Sequence, residues 1–113
     1  VKNLTILAAL SGAIAVAAGA FGAHGAASAQ AAEWLRTGGQ YQLIHAVAAL
    51  VAVRMAMRGP AWCFVAGGAI FAATLYLMAL GAPRWLGAVT PLGGLTLIGG
   101  WLWFAISAAR AHE

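Results

Sequence analysis

The side chains in this sequence that could do chemistry are few. His24 closes the stretch GAFGAHG, Gln40, Tyr41, Gln42 and His45 crowd QYQLIH, and Tyr76 and Thr90 stand further on. Imidazoles serve as proton relays and are the commonest metal ligands, and ionisable groups within apolar segments are functional candidates by default. His24, Tyr41, Gln42, His45, Tyr76 and Thr90, with Gln40 beside them, are therefore the candidate ligand-binding set. The same groups have a plainer use. A neutral His45 imidazole hydrogen-bonded to Tyr76 would clasp two helices, worth on the order of 1 kcal/mol in a bilayer.

Metal chemistry is short of ligands. The chain has no aspartate, and of its two glutamates Glu33 alone could join two histidines, Glu113 standing at the far terminus. A single cysteine, Cys63, excludes an internal disulfide and any multi-cysteine cage, and its apolar surroundings suit a packed neutral thiol. No nucleophile stands at a recognisable spacing from a base, and no glycine motif joins a strand to a helix. The expectation is no catalytic residue, no metal and no cofactor.

The elements that must carry these groups are membrane helices. Of 113 residues 64% are hydrophobic and 7% charged, and the mean hydropathy of +0.90 lies far above that of a soluble domain. Four apolar segments, about 4–23, 39–57, 61–82 and 87–109, each have roughly the 20 residues needed to cross a hydrocarbon core about 30 Å thick. The spacing predicts an all-α membrane protein, a four-transmembrane-helix bundle forming a single integral membrane domain over residues 1–113. Turns are expected at Arg58-Gly59-Pro60 and Gly81-Ala82-Pro83. Residues 28–37 read as a short outer interfacial helix between helices 1 and 2: Ser28 caps it, Glu33 and Arg36 pair across one turn, and Gly38-Gly39 ends it. The first apolar run also resembles a secretory signal with Ala-Ser-Ala at 27–29, but it is longer than a usual signal core and is expected to remain as the first span.

Six Lys and Arg against two acids give a net charge of +4. The cations are scattered singly, which excludes a nucleic-acid surface and suits loops flanking apolar spans. Lys2, Arg54, Arg58 and Arg110 fall on one side and Arg36 and Arg84 on the other, so both termini are expected in the cytoplasm. Arg54 lies near enough to its helix end to snorkel toward headgroups.

Small residues recur on one face of every span. Without a hydrophobic drive between helices in lipid, close backbone approach supplies much of the packing energy, and Gly12, Gly19, Gly22, Gly25, Gly68, Gly93 and Gly100 are the expected helix-packing positions. On helix 1 the face of Ala8, Gly12, Ala15, Gly19 and Gly22 opposes one of Leu7, Leu10, Ile14 and Phe21. On helix 2 the stripe Gln42, His45, Ala49, Ala52 and Ala56 turns His45 into the bundle. Four helices of this girth leave no room for a pore within one chain, so transport would need an oligomer.

GAFGAHG, then WLRTGGQYQLIHAVAAL, LYLMAL and LGAVTPLGGLTLIGGWLWF, together resemble the YgdD-like family of small inner-membrane proteins. That is domain-of-unknown-function family 423, related to eukaryotic transmembrane protein 256. The resemblance implies a multi-pass protein of the bacterial inner membrane with no assigned reaction. It carries over Gly22, His24, Gly25, Tyr41, Gln42, His45, Tyr76, Thr90, Pro91 and Gly93 as recurring positions. The expected role is a small accessory or packing subunit, embedded in the lipid bilayer, that forms a homo-oligomer or joins a larger membrane complex such as a respiratory enzyme. The rival expectation is a protein binding or transporting a lipid, quinone or ion at an outer-leaflet polar site around His45 and Tyr76.

Overall fold

The computed structural model describes residues 1–111, so Glu113 lies outside the described residues. Four α-helices follow in order: α1 (Lys2–His24), α2 (Ala29–Arg54), α3 (Arg58–Ala79) and α4 (Thr90–Arg110), with a 3-10 turn over Arg84–Ala88 leading into α4. Three stretches, Lys2–His24, Arg58–Ala79 and Arg84–Arg110, are long and apolar enough to cross a membrane. With 26 residues α2 is about 39 Å long, but Glu33, Arg36, Gln40, Gln42 and Arg54 lower its hydropathy.

The separate interfacial helix expected over residues 28–37 is not present. Ser28 caps as anticipated, its hydroxyl oxygen accepting from the Ala31 amide at 3.0 Å, but the helix it starts runs through Gly38-Gly39 without a break. Two glycines in a helix interior cost about 1 kcal/mol each relative to alanine. Contacts on both sides offset that. A Cβ on Gly39 would stand 3.0 Å from the Ala15 carbonyl oxygen of α1, and one on Gly38 would stand 2.7 Å from the Tyr76 ring of α3. The pair marks a crossing point and not a terminus.

The turn expected at Arg58-Gly59-Pro60 also moves, because those residues form the first turn of α3. Proline is tolerated there, where its missing N–H is not needed, and the reversal lies just before. The Met57 amide donates to Ala52 O (2.8 Å) and the Ala56 amide to Val53 O (3.0 Å). This paired closure needs a left-handed residue at Ala56, whose φ is +59°. The second hairpin closes in the same way, with the Ala82 amide on Leu77 O, the Gly81 amide on Met78 O and Gly81 at φ +105°. Here glycine takes the position that costs alanine strain.

The helices run up and down, so the start of α1 and the end of α4 lie at one end of the bundle with the α2–α3 turn. The α1–α2 loop and the segment from Leu80 to Val89 lie at the other, here called the loop end. Packing follows chain order: α2 lies between α1 and α3, and α3 between α2 and α4. The outer two helices bury little, Leu4, Ala8 and Ala15 on α1 and Gly93, Leu97 and Gly100 on α4. A compact core of Leu4, Ala8, Ala49, Ala52, Ala61, Phe64, Val65 and Leu97 fills the end nearer the termini.

Close approach is concentrated at a few glycines. Gly22 admits Leu35 (3.0 Å to an added Cβ), Gly67 and Gly93 face each other's backbone, and Gly100 admits Cys63 and Phe64. Gly25 would strike the Phe21 ring, and Gly59 the Trp103 ring. By contrast, an added Cβ at Gly12 or Gly68 would make ordinary contact (3.9 and 3.8 Å), and at Gly19 it would meet open space. Gly93→Ala, whose Cβ would lie 2.8 Å from Gly67 O and closer still to the Phe71 amide, is expected to destabilise by about 1–3 kcal/mol. Gly19→Ala should be neutral or slightly stabilising. Thermal unfolding of the purified variants in detergent checks both.

Candidate functional site

The polar residues meet in three small clasps. Helical spacing puts Gln42 and His45 on the face of α2 that is covered by its neighbours, leaving each about 5% exposed. In hydrocarbon a buried polar atom must find a partner within the protein. His45 finds two. Trp101 of α4 donates its indole N–H to Nε2 at 3.0 Å, and Nδ1 lies 2.6 Å from the Tyr41 carbonyl oxygen one turn back. An indole can donate and not accept, so Nε2 carries the lone pair, and the proton sits on Nδ1, donated to Tyr41 O. The ring is neutral in this arrangement, with both nitrogens in use. Tyr41 stacks on it at 6.2 Å, Phe64 lies at 5.7 Å and the edge of Trp101 at 5.8 Å.

The expected His45–Tyr76 bond is replaced by a different pairing. The Tyr76 hydroxyl donates to Gln42 Oε1 at 2.7 Å. Its ring reaches that height because Gly38 leaves room for it. Gln42 stands one turn nearer the loop end than His45, which puts the amide within reach of Tyr76 while the imidazole meets α4. A third clasp joins α3 to the start of α4, with the hydroxyls of Thr74 and Thr90 2.6 Å apart. Each hydroxyl has one proton to give, so while Thr74 donates within its helix, toward Ile70 O or Phe71 O, Thr90 donates to Thr74 and not to Leu86 O, which lies further away at 3.3 Å.

His24 is exposed at the last turn of α1, away from these clasps. Gln40 is exposed, and Tyr41, 46% exposed, rests its ring on Phe71 at 4.7 Å. Among the described residues no group of three His, Cys, Asp or Glu side chains could hold a metal, and no buried side-chain nitrogen or oxygen lacks a partner. The polar interior is thus fully used by its own hydrogen bonds.

Open space lies elsewhere. A cavity of about 520 Å³ at the loop end is lined by residues including Phe21, Gln30, Trp34, Met78 and Arg84. An apolar groove of about 240 Å³ runs between α2 and α4 past Val47, Val51, Trp101 and Phe104. Neither is lined by Gln42, His45 or Tyr76.

Sequence reading missed Trp101 as the partner of His45. A signal existed: Trp101 lies four residues beyond Leu97 and three before Phe104, at helical spacing from the buried Leu97 although its own ring stays 45% exposed, and an imidazole acceptor in lipid needs an N–H or O–H donor. Gly38, Gly39, Gly59 and Gly67 were also missed as close-contact positions, the first three because they read as a helix end and a turn until their neighbours are known, and Gly67 because the expected packing stripe of that span runs through Gly68.

The profile of the family described as "Protein of unknown function (DUF423)" matches residues 18–94. The UPF0382 inner membrane protein YgdD of Escherichia coli (strain K12) is 38% identical, over 96% of this chain and 91% of that protein. The UPF0382 membrane protein YwdK of Bacillus subtilis (strain 168) is 32% identical, over 96% of this chain and 98% of its own. UPF0382 membrane protein SSP2132 of Staphylococcus saprophyticus is 34% identical over the same shares. No solved structure matches the chain.

Each clasp should register as stability. Tyr76→Phe, which leaves the Gln42 amide oxygen unpaired, and Trp101→Phe, which does the same to His45 Nε2, are each expected to cost about 1 kcal/mol. A double-mutant cycle of Gln42→Leu with Tyr76→Phe should show coupling of about 0.5–1.5 kcal/mol, measured by unfolding in mixed micelles.

Proposed function

The chain belongs to the DUF423 family of multi-pass inner-membrane proteins, and we propose that it acts as a small accessory unit whose role is association within the bilayer. The observation that carries this reading is the outward face of α1. Ala9, Ala13 and Ala17 recur at every fourth residue and are all exposed. Stripes of small residues at that spacing let a second helix approach closely enough for dispersion to hold the pair. The partner is a second copy of the chain, or a helix of a larger membrane complex that takes the same seat.

The ligand or transport reading centred on His45 and Tyr76 has less support. Their polar atoms already bond to Trp101, Tyr41 and Gln42, so a ligand there would first have to break those bonds. The proposal includes no catalytic step.

In this reading α2 is a fourth crossing. Its middle is flanked by two apolar helices, the exposed Glu33 and Arg36 pair with each other near one end, and Arg54 lies in the last turn at the other. Lys2, Arg54, Arg58 and Arg110 gather at the end of the bundle with the termini, and Arg36 and Arg84 at the loop end. The excess of basic residues at the end with the termini supports a cytoplasmic placement for it, with the loop end on the outer face.

Two measurements test this. Ala13→Leu, at an exposed site that the monomer's own packing does not use, should shift the protein to smaller assemblies in native mass spectrometry of gently extracted membranes. A wild-type chain that is monomeric and without a partner there would sink the proposal. Ala27→Cys in a Cys63→Ser background should be labelled from outside intact cells, stripped of any outer envelope, by a membrane-impermeant maleimide; labelling confined to inverted vesicles would reverse the orientation.

A further inference from the structure

We infer that the cavity at the loop end is a binding site for a phosphate-bearing anionic group, with Arg84 as its charge partner. The site is built by four elements: the end of α1, the start of α2, the end of α3 and the 3-10 turn that carries Arg84. At about 520 Å³ it lies within the size range of small-molecule sites. It has room for a phosphate and for a headgroup with its first carbons.

Charge selects the occupant. Glu33, the carboxylate side chain among the described residues, is held by Arg36, which leaves Arg84 facing the cavity with no carboxylate partner. Its guanidinium lies over the Trp34 ring, 5.6 Å from the centroid. Stacking on an aromatic face fixes the plane of the guanidinium and leaves its edge N–H groups free for a forked bond to two oxygens. Gln30 adds an amide donor, and the Ser28 hydroxyl, whose oxygen already accepts from Ala31, keeps its proton to give. Phe21, Met78 and Leu80 supply apolar side chains, placed to meet carbons next to the anion. A cation on an aromatic plate, two neutral donors and an apolar floor together describe a site for the polar end of an acidic amphiphile.

The shared chemistry has two sources, an anionic phospholipid headgroup or free phosphate. This inference does not depend on association through α1, whose alanine face lies outside the cavity. The test is the thermal midpoint of the purified full chain in dodecyl maltoside, titrated with phosphatidylglycerol, with phosphatidylcholine of the same chains, and with inorganic phosphate. Stabilisation by phosphatidylglycerol and not phosphatidylcholine supports the site with lipid as its source; an equal effect of inorganic phosphate supports it with the free anion. In either case Arg84→Gln should raise the half-saturating concentration about tenfold or more. Ala82→Phe, which plugs the cavity while keeping Arg84, should do the same, and Arg110→Gln, at the other end of the bundle, should leave it unchanged. Should Arg84→Gln not be recovered folded, Arg84→Lys keeps the charge but loses the fork, and should weaken binding. No stabilisation by either probe, stabilisation equal with phosphatidylcholine, or an effect that survives Arg84→Gln or Ala82→Phe or is lost with Arg110→Gln, would overturn the inference.

Discussion

The arrangement depends on α2 being able to touch α1 and α3 at one height. Neighbouring residues on a helix point about 100° apart, so Gly38 and Gly39 open two different faces at the same level. The Tyr76 ring fills one opening and the backbone of α1 around Ala15 and Gly19 closes on the other. Larger residues at either position would push one neighbour away, and with it the contacts above and below. Lipid tails are as apolar as leucine, so nothing but shape and polar bonding draws these helices together. Loss of contact at this level could not be recovered by burying apolar surface elsewhere.

Shape and polar bonding divide the work between helix pairs. Gln42 with Tyr76 ties α2 to α3, His45 with Trp101 ties α2 to α4, and Thr74 with Thr90 ties α3 to the start of α4. Among the described residues no side-chain hydrogen bond joins α1 to α2. That pair relies on close approach at Gly22 and Gly39. A hydrogen bond fixes register along a helix because sliding by one residue breaks it, whereas a smooth seam of small residues resists sliding less. The first helix is therefore held chiefly by fit, and the other three by fit and specific bonds together.

Much of this was legible in the residues. The membrane class and the family followed from composition and from motifs spread over nearly the whole chain. The buried face of α2 was visible because Gln42, His45, Ala49 and Ala52 recur at helical spacing. Two features were not legible. Gly38-Gly39 has the local chemistry of a helix end, and its continuation through the middle of α2 depends on neighbours more than twenty residues away in sequence. The partner of His45 was hidden for a similar reason: residue types and spacing made Tyr76 an acceptable partner for His45 but could not resolve the single turn between His45 and Gln42. That turn decides which of the two meets the tyrosine.

Packing in chain order has a consequence for how the molecule is made. A fold whose helices mostly meet their sequence neighbours can be built as the chain emerges, each hairpin closing over a short loop at small entropic cost. The bond between Trp101 and His45 departs from that rule, spanning 56 positions. The Nε2 acceptor of His45 gains its indole donor only when α4 is in place, which makes the imidazole a latch that the first three helices carry and the fourth fastens.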